Sequence, residues 1–464
     1  MRNWLISVVC LLFLFGTLLV EAAPVTVLTP TEDPFYTAPN NLDDYKLGDI
    51  IRSRISPHPI RSIYFKVDVK SAWQLLVRSE DTFGNATAIG VTVIEPYNSN
   101  KTRLLSYQVA EDSASPNCAM SYAFQYGASM NTLVTQFEMY FIQAALDLGW
   151  YVTIPDYEGP QAAFTAGRQA GHAVLDGIRA TLHSGNITGV DENAQLTMWG
   201  YSGGSLATGW AAALQPDYAP ELKDKILGAA LGGFVTNITA TLDAQNGKIF
   251  AGLLSSGING LMQEYPQLNE LVRSKIASDK LEDFLYGSKS CMLPSLYHFM
   301  EHNFFYGEDK YFTDGPAILS EPIVQEILSE NTLALHNNSE IPEIPLFVYH
   351  GELDRIVPIV GSERAYNNWC DWGIKSFEFA PDLLNGHITE FVLGAPAALA
   401  WLVDRYEGIP PVDGCKKTER ISNLMYPGAS EANKVYFEAA YTSLLGLPIG
   451  PDSNLTFGEI ASKV

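Results

Sequence analysis

The run Gln195-Leu196-Thr197-Met198-Trp199-Gly200-Tyr201-Ser202-Gly203-Gly204-Ser205-Leu206-Ala207-Thr208-Gly209-Trp210-Ala211-Ala212-Ala213-Leu214 decides the fold. Residues 195–199 read as an apolar strand, and residues 206–214 carry the Ala, Leu and Trp of a packed helix. Between them stands G-x-S-x-G. A chain of this length would contain that pattern by chance about 0.2 times, so its flanks carry the argument. A strand that turns into a helix within a few residues holds the central residue at strained dihedrals and brings helix and strand close together. Small neighbours are then required. Gly200, Gly203 and Gly204 meet that need, and Ser202 becomes a nucleophile presented at a strand end.

Outward from this turn, strand-like segments at 89–94, 104–109, 151–154, 196–199, 226–231 and 346–349 alternate with helical patterns. Residues 161–182 place Ala163, Phe164, Ala166, Ala170, Val174, Leu175, Ile178 and Ala180 at helical spacing, as a crossover helix leading into the strand before Ser202. Such alternation is the mark of a mostly parallel sheet covered on both faces. With the strand-turn-helix serine it predicts an α/β-hydrolase core. The alternation fails over residues 236–325, which read as an inserted helical cap or lid subdomain. Residues 23–235 and 326–464 then form the first and second parts of the core, the latter with a C-terminal segment. Within the cap, residues 250–262 are apolar and punctuated by Gly252, Gly257 and Gly260. They read as a buried helix or, alternatively, as a mobile lid. Residues 391–403 read as a helix on the sheet, residues 24–44 as an irregular arm, and residues 444–451 as a segment that folds back over the core.

A serine hydroxyl needs a base to take its proton. In this fold the partners follow in the order Ser, then Asp or Glu, then His. The segment Phe347-Val348-Tyr349-His350-Gly351-Glu352-Leu353-Asp354 supplies a strand, a turn and a carboxylate, and His387 is the sole histidine downstream of Asp354. The expected catalytic set is Ser202, Asp354 and His387. A solvated turn residue and a helix cap are the plain alternatives for Asp354 and His387, but order and strand-end placement favour the chemical roles. Asp382 and Glu352 are rival acids, and His350 is expected to pack structurally. The backbone N–H of Gly203 is one expected oxyanion donor. Composition does not locate the second.

The opening residues place Arg2 before an apolar run, 4–20, that ends at Ala22, Ala23 and Pro24, so residues 1–22 read as a signal peptide and not as a transmembrane anchor. The mature protein is expected to be secreted and extracellular. Cys10 would be lost with that leader, leaving Cys118, Cys291, Cys370 and Cys415 for two disulfides with three possible pairings. Asn85, Asn100, Asn186, Asn237, Asn337 and Asn454 head N-glycosylation acceptor sequences. With 29 Lys+Arg against 52 Asp+Glu the formal charge is -23, which argues against nucleic acid as a partner. Contact with lipid would be driven by apolar area and not by charge. No cofactor and no metal are expected, and the acting unit is expected to be a monomer.

The chain resembles the secreted yeast lipases related to Candida antarctica lipase A, including the Candida secreted lipases. The residues that carry the resemblance are Ser106-Tyr107-Gln108-Val109, Glu111-Asp112, Cys118 with Ser121-Tyr122, Glu158-Gly159 with Ala162-Ala163-Phe164, 175–180, 200–204, and Tyr218-Ala219-Pro220-Glu221-Leu222. The resemblance implies an α/β-hydrolase core with a helical cap. It also implies the triad already named, an oxyanion hole of backbone donors at Asp112 and Gly203, and disulfides Cys118 to Cys291 and Cys370 to Cys415. The activity it implies is triacylglycerol lipase, acting on a lipid ester at an oil–water or membrane interface, with acyl transfer to alcohols in some members. Ala110 stands where the resembled enzyme has an aromatic residue, which bears on acyl-chain and acceptor preference. A secreted carboxylesterase, a serine peptidase of the same fold and a non-catalytic adhesion protein are the competing readings.

Overall fold

The computed structural model describes residues 26–335 and 340–451. Ten strands form its main sheet: β1 (Ile50–Ile55), β2 (Ser71–Glu80), β3 (Ala86–Glu95), β4 (Asn100–Gln108), β5 (Trp150–Pro155), β6 (Gln195–Tyr201), β7 (Ile226–Gly232), β8 (Leu346–Gly351), β9 (Ser376–Asp382) and β10 (Gly414–Lys417). Their order is β1-β2-β3-β5-β4-β6-β7-β8-β9-β10. Pairing is antiparallel from β1 through β3 to β5 and parallel from β5 to β10. All six expected strands are present.

Four strands were not anticipated. β2 carries Gln74, Arg78, Ser79 and Glu80, and β9 carries Glu378, Pro381 and Asp382. Their polar side chains hide the apolar signal of strands that tertiary packing nevertheless buries. β1 and β10 lie at the two edges of the sheet, where weak apolar pattern is the rule.

Parallel strands buried on both faces need helices on both faces. α1 (Met139–Asp147), α2 (Gly167–His183) and α3 (Gly203–Tyr218) supply the crossovers β4→β5, β5→β6 and β6→β7. α2 begins six residues later than the periodicity predicts. Residues 161–166 instead form an irregular loop in which Ala162 and Thr165 take positive φ. That loop docks on the insertion: Thr165 Oγ1 donates to the Gly257 carbonyl at 3.2 Å, and a Cβ on Gly260 would collide with the Phe164 backbone.

Between β7 and β8 the described residues add no strand to the sheet. They form α4 (Ile238–Gln245), α5 (Gly252–Glu264), α6 (Pro266–Lys275), α7 (Met292–His298) and α8 (Pro322–Glu330), with shorter turns. α8 spans position 325, where the sequence suggests the insertion ends. α5 is the glycine-punctuated stretch, and Leu254, Ile258, Leu261 and Met262 are buried in it.

After β8 come α9 (Val360–Asp371), α10 (His387–Leu393), α11 (Ala395–Tyr406) and α12 (Ala429–Leu444). The expected single helix over 391–403 is broken at Gly394, because Pro396 opens the next helix and cannot continue the preceding one. The arm at 26–49 is held by Phe35, buried against Leu76 and Ala88. Residues 444–451 do fold back: Ile449 N donates to the Asp68 carbonyl and the Ile449 carbonyl accepts from Tyr97 N, both at 2.9 Å. Among the described residues no helix is long and apolar enough to cross a membrane.

Two disulfides staple the molecule, Cys118–Cys291 and Cys370–Cys415. This is the pairing that the resemblance implied. Of the acceptor asparagines, Asn85, Asn100 and Asn186 are exposed. Asn237 is only half-exposed and caps α4 through its side-chain oxygen on Ala240 N. The 1–22 leader with Cys10, and Asn337 and Asn454, lie outside the described residues.

Candidate active site

β6 ends at Tyr201 and α3 starts at Gly203, so Ser202 forms the whole turn, at φ 53° and ψ −123°. Few side chains tolerate that conformation. The close crossing it forces excludes side chains on both flanks: a Cβ on Gly200 would meet the Gly204 carbonyl, and one on Gly204 the Gln108 carbonyl of β4. Ser202 N donates to the Gly232 carbonyl of β7 at 2.9 Å, tying the turn to the sheet.

The loops after β8 and β9 bring the other two residues to it. His387 Nε2 lies 2.9 Å from Ser202 Oγ, and His387 Nδ1 lies 2.6 Å from Asp354 Oδ2. Asp354 Oδ1 accepts from the Ile356 and Val357 amides at 2.8 Å each. Burial alone would raise the Asp354 carboxyl, but the His387 and His350 imidazoles outweigh it and hold the group far below the usual carboxylate range. It is therefore a carboxylate at every ordinary pH. The Tyr201 phenol donates to the His387 carbonyl at 2.7 Å, fixing the histidine backbone.

The rival acids fall elsewhere. Glu352 is exposed. Asp382 accepts from Leu384 N and Asn385 N through Oδ1, and from Asn385 Nδ2 and Asn423 N through Oδ2. It shapes the loop that carries His387.

On the other side of Ser202, Gly203 N opens α3 and has no intrahelical acceptor. Asp112, at φ 49°, places its carboxyl against Gly203, where a Cβ would overlap Oδ1. Burial pushes that carboxyl up to about 7. Its backbone N–H, with that of Ser113, faces the Glu158 carboxyl. Burial first, and like charge from neighbouring carboxyls second, raises both Glu111 and Glu158 well above the usual range. Glu138 accepts from Tyr107 Oη at 2.9 Å and Ala110 N at 2.8 Å. Burial outweighs those bonds and raises it to about 8. Glu111, Asp112 and Glu158 carry the resemblance in the sequence, but their burial with Glu138 as one layer of acids was not anticipated.

Two apolar clefts meet at Ser202. One, narrow and almost wholly apolar, runs under the insertion between Phe164, Leu206, Val235, Ile238, Leu242 and Leu254. The other opens past Ala110, Val134, Met292, Leu296, Ile388 and Phe391. Leu253 of α5 lines both. Among the described residues no group of three or more His, Cys, Asp or Glu side chains is placed to hold a metal ion.

The profile of the secretory lipase family matches residues 124–414. The chain is 51% identical to Lipase 1 of Candida albicans over 439 residues, 95% of this chain and 94% of that protein. The chain belongs to the secretory lipase family. Lipase 2 of the same yeast is 46% identical, over 96% of each chain. The crystal structure of Candida antarctica lipase A in its closed state superposes with a TM-score of 0.78 at 28% identity, covering 92% of this chain and 99% of that one. This secretory lipase is thus an ester hydrolase with an α/β-hydrolase core, and its family membership implies secretion.

Proposed function

We propose that this secretory lipase hydrolyses triacylglycerols at a lipid–water boundary through an acyl-serine intermediate, with Ser202 as nucleophile, His387 as general base and Asp354 as its orienting carboxylate. The observation that carries the reading is the meeting of two apolar clefts at one serine already hydrogen-bonded to a histidine and, through it, to an ionised aspartate. Ser202 Oγ attacks the ester carbonyl as His387 Nε2 takes its proton, and the oxyanion that develops is met by the backbone N–H of Gly203 and by that of Asp112, which leaves the Glu158 carboxyl to reach it. The C–O bond then breaks, His387 protonates the departing alcohol, and a water repeats the sequence to release the fatty acid. An alcohol in place of that water would give acyl transfer.

The mouth of the second cleft supports docking on lipid. Ile388, Leu384 and Leu353 are 52%, 64% and 58% exposed around His387, and Leu293 and Tyr297 on α7 are 39% and 80% exposed across from them. So much open apolar area suits an uncharged lipid surface better than an anionic one, given the net charge of -23. In this reading residues 1–22 direct export to the extracellular space, residues 236–325 act as a cap over the site, and one chain suffices for the reaction.

The test is Ser202→Ala in full-length protein that retains its thermal melt. It should abolish tributyrin and triolein hydrolysis and labelling by a fluorophosphonate. Full activity in that variant would sink the reading, and cleavage of peptide amides without long-chain glycerides would redirect it.

A further inference from the structure

β8 carries His350 into the interior, where its side chain is 0% exposed. The sequence suggested simple packing, but both ring nitrogens are engaged. Phe234 N lies 3.1 Å from Nδ1. A backbone amide can only donate, so Nδ1 must present its lone pair. Ser362 Oγ is 3.0 Å from the same nitrogen and can donate there or to the Phe234 carbonyl at 2.9 Å. A neutral imidazole with its lone pair at Nδ1 has its proton on Nε2. That Nε2 lies 2.9 Å from the Val357 carbonyl and 3.2 Å from Asp354 Oδ2. The proton therefore points between the carbonyl and the carboxylate oxygen that receives the His387 bond.

We infer that His350 is a positioning residue of the reaction, whose Nε2–H, held in one tautomer by the Phe234 amide, is the second imidazole donor to Asp354 Oδ2 and fixes the carboxylate against which His387 works. The inference rests on the reading of Ser202, His387 and Asp354 as the reacting set. A carboxylate offers about four lone-pair sites, and four N–H donors surround this one: Ile356 and Val357 on Oδ1, His387 and His350 on Oδ2. Without His350, Oδ2 would have only His387 to satisfy it. Asp354 would then be held on Oδ1 by the backbone amides but less firmly on Oδ2, and its pull on the His387 proton would strengthen. The other ionisable groups near the pair are the Tyr201 phenol, whose ring centre is 5.1 Å from that of His387, and Asp382 and Glu390, which act electrostatically on Tyr201. Glu352 and Arg355 beside Asp354 are exposed.

The experiment compares full-length wild type, His350→Phe, His350→Gln and Ser202→Ala on a soluble short-chain ester, with kcat, KM and the acid limb of the pH profile measured for each. His350→Phe keeps the ring and removes the donor; kcat should fall roughly tenfold or more with KM held within about twofold, as for other groups that orient a catalytic residue. Its acid limb should move to higher pH, because Asp354 loses a donor and draws more strongly on the N–H it shares with His387. His350→Gln can place an N–H where Nε2 stood and should recover most of both. A folded His350→Phe with wild-type kcat and acid limb overturns the inference, as does a Gln variant no better than Phe at equal thermal stability. Should His350→Phe not fold, the 15N-histidine spectrum of the wild type decides: the inference requires the His350 proton on Nε2, and an Nδ1–H at His350 ends it. Activity surviving in Ser202→Ala would bring down the underlying reading, which separates the two failures.

Discussion

The Asp112 carboxyl lies against Gly203, close enough that its Oδ1 occupies the space a Cβ at 203 would need. Among the described residues that oxygen has no hydrogen-bond partner, and burial pushes the group up to about 7. Below that value the side chain is neutral, and above it a negative charge appears beside the position where the proposed reaction forms its oxyanion. kcat/KM should therefore fall as pH rises through about 7. Asp112→Asn keeps the backbone donor and removes the charge, so its pH–rate profile should lose that alkaline limb. An unchanged limb in the variant would assign the fall to another group.

Folding stability should decline from acid toward alkaline pH. Burial raises Asp112 and Asp156 to about 7, Glu138 to about 8 and Asp176 to about 6, against about 3.9 to 4.3 in an unfolded chain. The folded state then binds more protons than the unfolded state. The contribution is fully present below the unfolded values and is lost as pH rises through the folded ones. Asp354 acts in the opposite direction, but it is one group. Thermal melts between mildly acid and mildly alkaline buffer should show a falling midpoint, and Glu138→Gln should shallow the slope. A rising midpoint over that window would contradict the account.

Removing either disulfide should destabilise the protein without changing its secondary structure. Cys118–Cys291 closes 173 residues of chain and Cys370–Cys415 closes 45. Chain-entropy arguments give about 5 and about 4 kcal/mol for loops of those lengths. Paired Cys→Ala variants followed by denaturant unfolding should rank in that order.

Leu242→Trp should separate long from short acyl chains. Leu242 lines the cleft that runs from Ser202 under the insertion and is 8% exposed, so a larger ring there fills space that only a long chain reaches. Overpacking of this kind costs about 1–3 kcal/mol, which a domain of this size tolerates. The ratio of triolein to tributyrin hydrolysis should drop about tenfold, the scale of a lost apolar pocket contact. An equal fall on both substrates would place the long chain elsewhere.

The sequence made the serine turn, the parallel strands and the three side chains that meet at Ser202 legible because each is local or ordered: Gly-flanked Ser202, apolar β4 to β8, and a sole histidine after Asp354. What it hid depends on distant partners. The first turn expected for α2 is sacrificed to dock Phe164 and Thr165 on α5, and nothing within residues 161–166 announces that contact. β2 and β9 are buried by neighbours that their own polar residues do not reveal. His350 looked like packing because its meaning lies in Phe234, 116 residues earlier. The i, i+4 spacing of His350 and Asp354 across a turn was the one local hint.

The bond from Cys118 to Cys291 joins the loop beside Asp112 to the residue that precedes α7. A covalent tie of this kind keeps one wall of the second cleft, Met292 and Leu296 of α7, at a set distance from the loop that carries Asp112.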